Sequence, residues 1–210
     1  MSLKIENLIL GPIENNTYLL TDTETSLAAL VDPSVPSREI LEAIRKAGLQ
    51  LNSILITHAH FDHIGGAKYF KKQLGGEPQV YLHQADLQLW QSGGGARDFG
   101  FDFDAGDQPD ILFENEQTLK LGNIMIKVLH TPGHTPGHVT FHLPNSNAAF
   151  CGDLIFYHGV GRTDLVYSNQ DDLFLSVKEK IFTLPDNTLL YPGHGPSTSV
   201  GEEKENNPFI

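Results

Sequence analysis

Short apolar runs separated by turn residues dominate the first part of the chain. Runs rich in Val, Ile, Leu and Thr are typical of strands, and residues such as Gly11-Pro12 and Thr21-Asp22 mark turns between them. The pattern predicts strands over Leu3–Leu10, Thr17–Thr21, Leu27–Val31 and Ile54–Ile56.

Helical periodicity is confined to a few segments. Ser37 is placed to cap a helix that carries Ile40, Leu41 and Ile44 on one face, and Gly48 is placed to end it. Further helices are predicted over Asp62–Leu74, with an end at Gly75-Gly76, and over Gln84–Trp90 and Gln170–Phe182.

The second half of the chain returns to strand character. We predict strands over Val80–Leu82, Gln117–Leu121, Ile124–Leu129, His138–Leu143, Ala148–Cys151 and Thr188–Tyr191. Strand runs interrupted by single helices in both halves predict an α/β protein in which two β-sheets pack face to face with helices outside. The length of 210 residues suits one domain over 1–210.

The segment Gln91–Asp110 shows neither the strand nor the helix period. It is rich in Gly and Asp and carries Phe99, Phe101 and Phe103. A loop of this length inside a compact domain is usually functional or disordered. Two interpretations of residues 93–110 therefore stay open, a lid with an apolar face and a disordered surface segment.

Composition narrows the partners. Hydrophobic residues make up 40% and charged residues 19% of the chain, which is typical of a globular protein. The formal net charge of -12 repels phosphate backbones and anionic lipid, so we expect no nucleic-acid and no membrane partner. One cysteine, Cys151, allows no disulfide within the chain. Without a signal peptide at the N-terminus, we expect a cytoplasmic protein.

The sharpest local signal is the run His58-Ala59-His60-Phe61-Asp62-His63. Neutral imidazole and carboxylate are ligands that zinc and iron(II) accept. On an extended strand end His58 and His60 point the same way, because side chains alternate with period two. A turn then swings Asp62 and His63 towards a second point, about 3.5–4 Å away in two-metal sites. Four candidate ligands on six residues therefore suit two metals better than one.

Three further segments argue against a surface histidine cluster without a role. In each, a candidate ligand follows a predicted strand and is flanked by Gly or Pro, which favour tight loops. The segments are His130-Thr131-Pro132-Gly133-His134-Thr135-Pro136-Gly137-His138, Cys151-Gly152-Asp153 and Pro192-Gly193-His194-Gly195.

Together these motifs resemble the metallo-β-lactamase superfamily over about residues 15–194, and within it the short, single-domain glyoxalase II-like (hydroxyacylglutathione hydrolase-like) proteins of bacteria. The resemblance implies an αββα sandwich of two mixed sheets, with metals at one edge between them. It implies two divalent ions, zinc in the first place, although such ligands also accept iron or manganese. By matched position, one metal takes His58, His60 and His134, the other takes Asp62, His63 and His194, and Asp153 bridges the two.

The implied activity is hydrolysis by a metal-bridging hydroxide, because a water between two cations loses its proton near neutral pH. Asp62 would orient that hydroxide. The loop Gly159–Asp164 resembles one in glyoxalase II-type and persulfide dioxygenase-type proteins, which act on glutathione thiol derivatives. The implied substrate is a small-molecule thioester derived from glutathione. Arg162 is the candidate contact to it, and a surface arginine paired with Asp164 is the alternative.

The main rival activity is that of a glutathione persulfide dioxygenase with mononuclear iron. His138 favours the hydrolase, because the dioxygenases tend to have Cys at the matching place, and the ending His194-Gly195-Pro196 also favours it. Other branches fit less well. A nuclease would need a basic surface, and a flavodiiron protein has Glu where this chain has His60.

Overall fold

The structure is a computed structural model that describes residues 2–74, 78–114 and 116–210. The first part of the chain contains β1 (Leu3–Leu10), β2 (Asn15–Asp22), β3 (Leu27–Val31), α1 (Arg38–Lys46), β4 (Gln50–Leu55), α2 (Phe61–Ile64), α3 (Ala67–Gln73), β5 (Gln79–His83), α4 (Leu87–Gln91) and β6 (Ile111–Phe113). The second part contains β7 (Gln117–Leu121), β8 (Ile124–His130), β9 (Val139–Leu143), β10 (Ala148–Gly152), β11 (Ile155–Phe156), β12 (Gly159–Val160), α5 (Gln170–Ser176), β13 (Leu189–Pro192), β14 (Thr198–Ser199) and α6 (Val200–Asn206).

The strands described by the structure form two six-stranded mixed sheets and a two-stranded ribbon, β11–β12. In the first sheet the order is β1-β2-β3-β4-β5-β6, antiparallel up to β3 and parallel from there on. In the second sheet the order is β14-β13-β10-β9-β8-β7, and there β10 and β13 pair in parallel. Each sheet is therefore built from one continuous part of the chain.

Three layers of buried apolar side chains hold the sheets and helices together. Tyr18 and Phe113 of the first sheet pack with Phe141 and Phe150 of the second, which places the two sheets face to face. Helices α1, α3 and α4 cover the outer face of the first sheet, and α5 and α6 cover that of the second. Because sheets bury one face against each other and the other under helices, β2, β9 and β10 are buried along their whole length. The arrangement confirms the predicted α/β fold class.

Helix α1 forms as its sequence predicts. The Ser37 hydroxyl accepts a hydrogen bond from the Ile40 backbone N–H over 3.2 Å, which satisfies one free donor of the first turn. Ile40, Leu41 and Ile44 are buried on the inner face. Gly48 follows with φ +63°, the left-handed conformation that commonly ends a helix.

The predicted helix over Asp62–Leu74 is instead two helices, α2 and α3, separated at Gly65-Gly66. The reason is a close approach of the segment after β3. The Gly66 N–H donates to the Pro33 carbonyl oxygen over 2.6 Å. A Cβ on Gly65 would lie 2.2 Å from the Ser34 carbonyl oxygen. The predicted end of this helix at Gly75-Gly76 lies outside the described residues.

Several short elements were not predicted, namely β6, β11, β12, β14 and α6. Each is short enough that its sequence carries little periodicity, and strand pairing defines most of them. No helix in the described part of the chain has both the length and the apolar character needed to cross a membrane.

Candidate metal centre

The candidate ligands gather at one edge of the two sheets. His58 and His60 follow β4, Asp153 follows β10 and His194 follows β13. Since β10 and β13 are parallel, their carboxyl ends lie at the same edge. The strand β8, antiparallel to the intervening β9, also ends there and leads to His134. The topology thus places ligands from both halves of the chain together.

Two groups of three ligand atoms form at this edge. The atoms of His58, His60 and His134 lie within 4.8 Å of one another, and those of Asp62, His63 and His194 do so as well. These are the two sets that the resemblance to the metallo-β-lactamase superfamily implies for separate metals. A third, overlapping group consists of Asp32, His58 and His63.

The Asp153 carboxylate lies between the two groups. Its Oδ1 atom is 3.4 Å from His63 Nε2, and its Oδ2 atom is 3.7 Å from both His134 Nε2 and His194 Nε2. One carboxylate therefore faces both groups, which is the geometry that a bridging ligand requires.

Buried atoms without partners show that the site fits cations. His58 Nε2 and Asp153 Oδ1 are buried and have no hydrogen-bond partner among the described residues. A buried polar atom without a partner costs about 1–3 kcal/mol, so nearly all such atoms in native proteins have a hydrogen-bond partner or contact a water or ion. Coordination of a metal would satisfy both atoms.

The protonation states also suit a metal. Burial, followed by the neighbouring histidines, lowers the pKa of His58 well below its ordinary value and that of His60 to about 3, so both rings are neutral and offer a lone pair. Burial by itself would raise the pKa of Asp153, but His63, His134 and His194 together outweigh burial and hold that pKa below its usual range. The first group therefore offers neutral imidazoles beside ionised carboxylates, the donor set of zinc and iron sites. In the second group burial alone would lower the pKa values of His63 and His194, but the neighbouring carboxylates outweigh burial and raise both, so a cation bound there would displace a proton from each ring.

A cavity of about 300 Å³ opens onto the centre. His60, Asp62, His134, Asp153 and His194 line it. The remaining two predicted ligands, His58 and His63, are fully buried. A small molecule in this cavity would thus contact one member or more of each group.

The family model of the metallo-beta-lactamase superfamily matches residues 10–194. The chain belongs to the metallo-β-lactamase superfamily. This match confirms the predicted family, and the superfamily supports a metal-dependent hydrolase.

Two full-length relatives are similar to this member of the superfamily. The probable metallo-hydrolase YqgX of Bacillus subtilis (strain 168) is 36% identical over 211 residues, which cover 99% of this chain and 98% of that protein. The hydroxyacylglutathione hydrolase GloC of Haemophilus influenzae is 34% identical over 210 residues, again 99% of this chain and 98% of that protein. Both similarities are consistent with the glyoxalase II-like resemblance.

Solved structures show the same fold. The BLEG-1 B3 metallo-beta-lactamase superposes with a TM-score of 0.92 at 33% identity, over 98% of this chain and 99% of that one. TTHA1623, solved in a di-iron-bound form, gives 0.87 at 37% identity, over 98% and 100%. ETHE1 from Myxococcus xanthus gives 0.80 at 28% identity, over 98% and 83%.

Arg162 of this metallo-β-lactamase family member lines the cavity, but its guanidinium is engaged. Nε and Nη2 donate to the two carboxylate oxygens of Asp164, each over 2.9 Å. The Arg162 backbone carbonyl accepts a hydrogen bond from His134 Nδ1 over 2.9 Å, which turns Nε2 of that ring towards its group. The pairing with Asp164 is one of the two sequence-based interpretations, and the contact of Arg162 with a glutathione-derived substrate stays a prediction.

Two aspartates that support the ligands were missed from the sequence. The first, Asp32, accepts hydrogen bonds from the Thr57 N–H (2.8 Å), the Thr57 hydroxyl (2.6 Å) and His63 Nδ1 (2.9 Å). The Thr57 hydroxyl gives its single proton to Asp32, so it accepts from His58 Nδ1 at 3.0 Å. Asp32 thereby orients two rings at once, and its position at the end of a buried strand was the available signal.

The second, Asp86, is fully buried between β5 and α4. Its carboxylate accepts from the Ala59 N–H over 2.9 Å, the Thr135 hydroxyl over 2.8 Å and the Gly137 N–H over 2.6 Å. Ala59 lies between two candidate ligands, and Thr135 follows His134 directly. One carboxylate therefore joins the two ligand-bearing loops, and no spacing in the sequence pointed to it.

The loop with His194 is held by the first sheet. The Asn16 side chain donates to the carbonyl oxygens of Pro192 (3.0 Å) and Gly195 (2.8 Å), and the Tyr18 hydroxyl donates to that of Pro192 over 2.7 Å. His194 Nδ1 donates to the Ile13 carbonyl over 3.1 Å. The second group of ligands is thus positioned by hydrogen bonds that cross between the sheets.

Proposed function

We propose that the protein hydrolyses acyl thioesters of the acyl-glutathione type with two divalent cations, zinc in the first place. The observation that carries the proposal is the position of the Asp153 carboxylate, which faces two groups of three ligands beside an open cavity. The identity of 34% with a hydroxyacylglutathione hydrolase supports the substrate class.

In this proposal His58, His60 and His134 would hold one cation, and Asp62, His63 and His194 would hold the other. Asp153 would contribute to both. Two divalent cations bound there would lower the pKa of a water between them and polarise a substrate carbonyl. The other proposed contributions to catalysis come from side chains that line the cavity.

Asp62 is the candidate that orients the attacking water. Its Oδ2 atom lies 3.2 Å from His194 Nε2, which leaves the carboxylate at the cavity wall. Burial alone would raise the pKa of Asp62, but His63 and His194 outweigh burial and lower it. An ionised carboxylate in this place accepts a hydrogen bond from the water and holds it against the scissile carbonyl.

The chemistry of the leaving group favours a thioester. A thiol has an ordinary pKa of about 8.5, so a thiolate departs without a proton donor. Among the described residues that line the cavity, the carboxyl groups are Asp62 and Asp153, and the pKa of each is lowered. Neither is a proton donor near neutral pH. Burial alone would lower the pKa of His194, which also lines the cavity, and Asp62 and Asp153 outweigh burial and raise it, but a cation bound to that ring would displace its proton. The cavity therefore suits a thiolate better than an amine as leaving group.

A persulfide dioxygenase with one iron is the second candidate, because the loop Gly159–Asp164 also resembles one in proteins of that type. The complete second group of ligands favours the two-metal hydrolase. The deciding experiment measures metal content together with thiol release from S-D-lactoylglutathione. We expect two metals per chain and thiol release. One iron per chain, with oxygen consumption on glutathione persulfide and no thiol release, would establish the dioxygenase instead.

Two variants test the proposed roles. Asp153→Ala should abolish hydrolysis and impair loading of both metals, and retention of two tightly bound metals would contradict the bridge. Arg162 is proposed to bind a substrate carboxylate in competition with Asp164. Arg162→Ala should then raise KM, and Asp164→Asn, which frees the guanidinium, should lower it. An unchanged KM in both variants removes Arg162 from the substrate site.

A further inference from the structure

The wall of the cavity away from the metal centre is apolar. Its large side chains come from separate segments of the chain and are Ile13, Phe61, Phe99, Phe156 and Leu165. Ile13 is 41% exposed and Phe99 is 48% exposed, so both present apolar surface to water. Apolar surface around a cavity with a few polar groups is typical of a ligand-binding site.

Backbone contacts fix this wall to the metal motif. The Phe61 N–H donates to the Gly94 carbonyl oxygen over 3.0 Å. A Cβ on Gly94 would lie 2.5 Å from the Phe61 nitrogen, so a glycine is needed for this approach. The rings of Phe99 and Phe101 each lie 5.5 Å from that of Phe61, centroid to centroid. The segment 93–110 thus carries its phenylalanines to the peptide that also carries His60 and Asp62.

Charge recognition by this cavity is weak by comparison. Among the described residues that line it, Arg162 is the one with a permanent positive charge, and Asp164 occupies its guanidinium. Selection beyond the reacting carbonyl therefore depends mainly on apolar contact.

We infer that the cavity selects thioesters that carry an apolar substituent next to the scissile bond, held against Ile13, Phe61 and Phe99. The inference rests on the proposed thioester hydrolysis and names the substrate class of that same site. The substituent belongs to the acyl group or to the thiol, since both flank the reacting carbonyl. A fully buried methylene contributes about fourfold in binding, and about twofold is expected against walls that stay half exposed.

The test compares kcat/KM of the metal-loaded protein in two series. One series lengthens the acyl group on glutathione from acetyl to butanoyl to hexanoyl, and the other lengthens an alkyl thiol esterified with acetate. We expect kcat/KM to rise about twofold per methylene in at least one series. The responding series identifies the side of the thioester. Flat values in both overturn the inference, while continued hydrolysis of S-D-lactoylglutathione leaves the proposed function intact. Failure to cleave any thioester refutes the proposed function itself.

Variants of Phe99 separate a binding role from a structural one. Phe99→Ser should lower kcat/KM for the longest substrate of the responding series about fivefold while leaving the shortest nearly unchanged, and Phe99→Leu should retain the preference. Phe209→Ser is the matched control, because Phe209 is 57% exposed and does not line the cavity. An equal loss for all substrates in Phe99→Ser overturns the inference.

Binding of thioethers gives a readout that does not depend on turnover. S-methylglutathione and S-hexylglutathione are not thioesters and resist hydrolysis. Calorimetry should show tighter binding of the hexyl compound to the wild type, about tenfold or more, and a reduced difference in Phe99→Ser. Equal affinity for the two thioethers would contradict an apolar subsite on the acyl side, and the alkyl-thiol series would then have to carry the inference alone.

Discussion

Replacing Asp86 by asparagine keeps the size of the side chain but removes one of its two hydrogen-bond-accepting oxygens. Oδ2 of Asp86 accepts from the Ala59 N–H and the Thr135 hydroxyl, and Oδ1 accepts from the Gly137 N–H. An asparagine oxygen in the place of Oδ2 retains the first two hydrogen bonds. Its NH₂ group then faces the Gly137 N–H, so two donors meet in a buried place.

The magnitude follows from that one lost acceptor. A buried N–H without a partner costs about 1–3 kcal/mol. Burial raises the pKa of Asp86, so the ionised carboxylate is itself partly unfavourable there and a neutral amide recovers some stability. We expect the free energy of unfolding to fall by about 1–2 kcal/mol. Metal affinity should fall about 10- to 100-fold, the range for residues that hold metal ligands in place.

Asp22 provides the matched control. One of its oxygens accepts from the Glu24 N–H, and the other accepts from the Asn123 N–H and the Thr25 hydroxyl, the same set of bonds as at Asp86. Asp22 is the last residue of β2, and Asn15, the first residue of that strand, lies near the metal centre. The length of the strand places Asp22 roughly 24 Å from Asn15.

Competition with a chelator measures metal affinity, and thermal unfolding of the metal-free protein measures stability. Both variants, Asp86→Asn and Asp22→Asn, should lower Tm, and Asp86→Asn alone should weaken metal binding. Equal metal affinity in the two variants would refute the claim that Asp86 positions the ligand loops.

Three further perturbations test other parts of the structure. Gly193→Ala would place a Cβ 2.2 Å from Asp153 Oδ1, so elemental analysis should find fewer than two metals per chain. The control Gly159→Ala, whose Cβ would have its nearest contact at 3.6 Å, should keep both metals. Full metal loading of Gly193→Ala would be inconsistent with the site geometry. The hydrogen bond from the Asn123 backbone N–H is the largest of the hydrogen bonds that lower the pKa of Asp22 to about 2. The stability that this carboxylate contributes is therefore present above its unfolded pKa of about 3.9 and is lost as pH falls towards 2. The urea midpoint of Asp22→Asn should lack this loss in acid, and a pH profile identical to that of the wild type would argue against it. Ser37→Ala removes the cap of α1 and should lower the free energy of unfolding by about 1 kcal/mol in urea, and an unchanged midpoint would show that the cap contributes nothing.

Local patterns predicted most of the strands and the candidate ligands. Because the run from His58 to His63 follows a buried strand, period two and a turn indicated that it suits two metals, and the resemblance to the superfamily then assigned the candidate ligands to two groups. The break at Gly65-Gly66 could not be foreseen, because its cause is the backbone at Pro33–Ser34, far away in sequence. Local periodicity contains no information on such an approach.

The supporting aspartates were hidden for the same physical reason. Asp32 accepts from Thr57, 25 positions along the chain, and Asp86 accepts from Gly137, 51 positions away. A lone aspartate beside a strand is common in surface turns, and only the packed fold shows that these two are buried among donors. The orientation of the Arg162 side chain likewise depends on its ion pair with Asp164. Whether a substrate carboxylate displaces Asp164 depends on the relative free energies of the two ion pairs, which the sequence pattern does not contain.

The division of the sheets along the chain has a consequence for assembly. All strands of the first sheet lie within residues 3–113, and all strands of the second lie within 117–199. Each proposed metal takes ligands from both parts of the chain. The two ions would therefore cross-link halves that pack face to face but share few backbone hydrogen bonds. Two fragments divided between the sheets would each hold an incomplete set of ligands for both metals. The apolar core that the sheets share would bring such fragments together, and free metal would strengthen their association because it binds only the assembled pair.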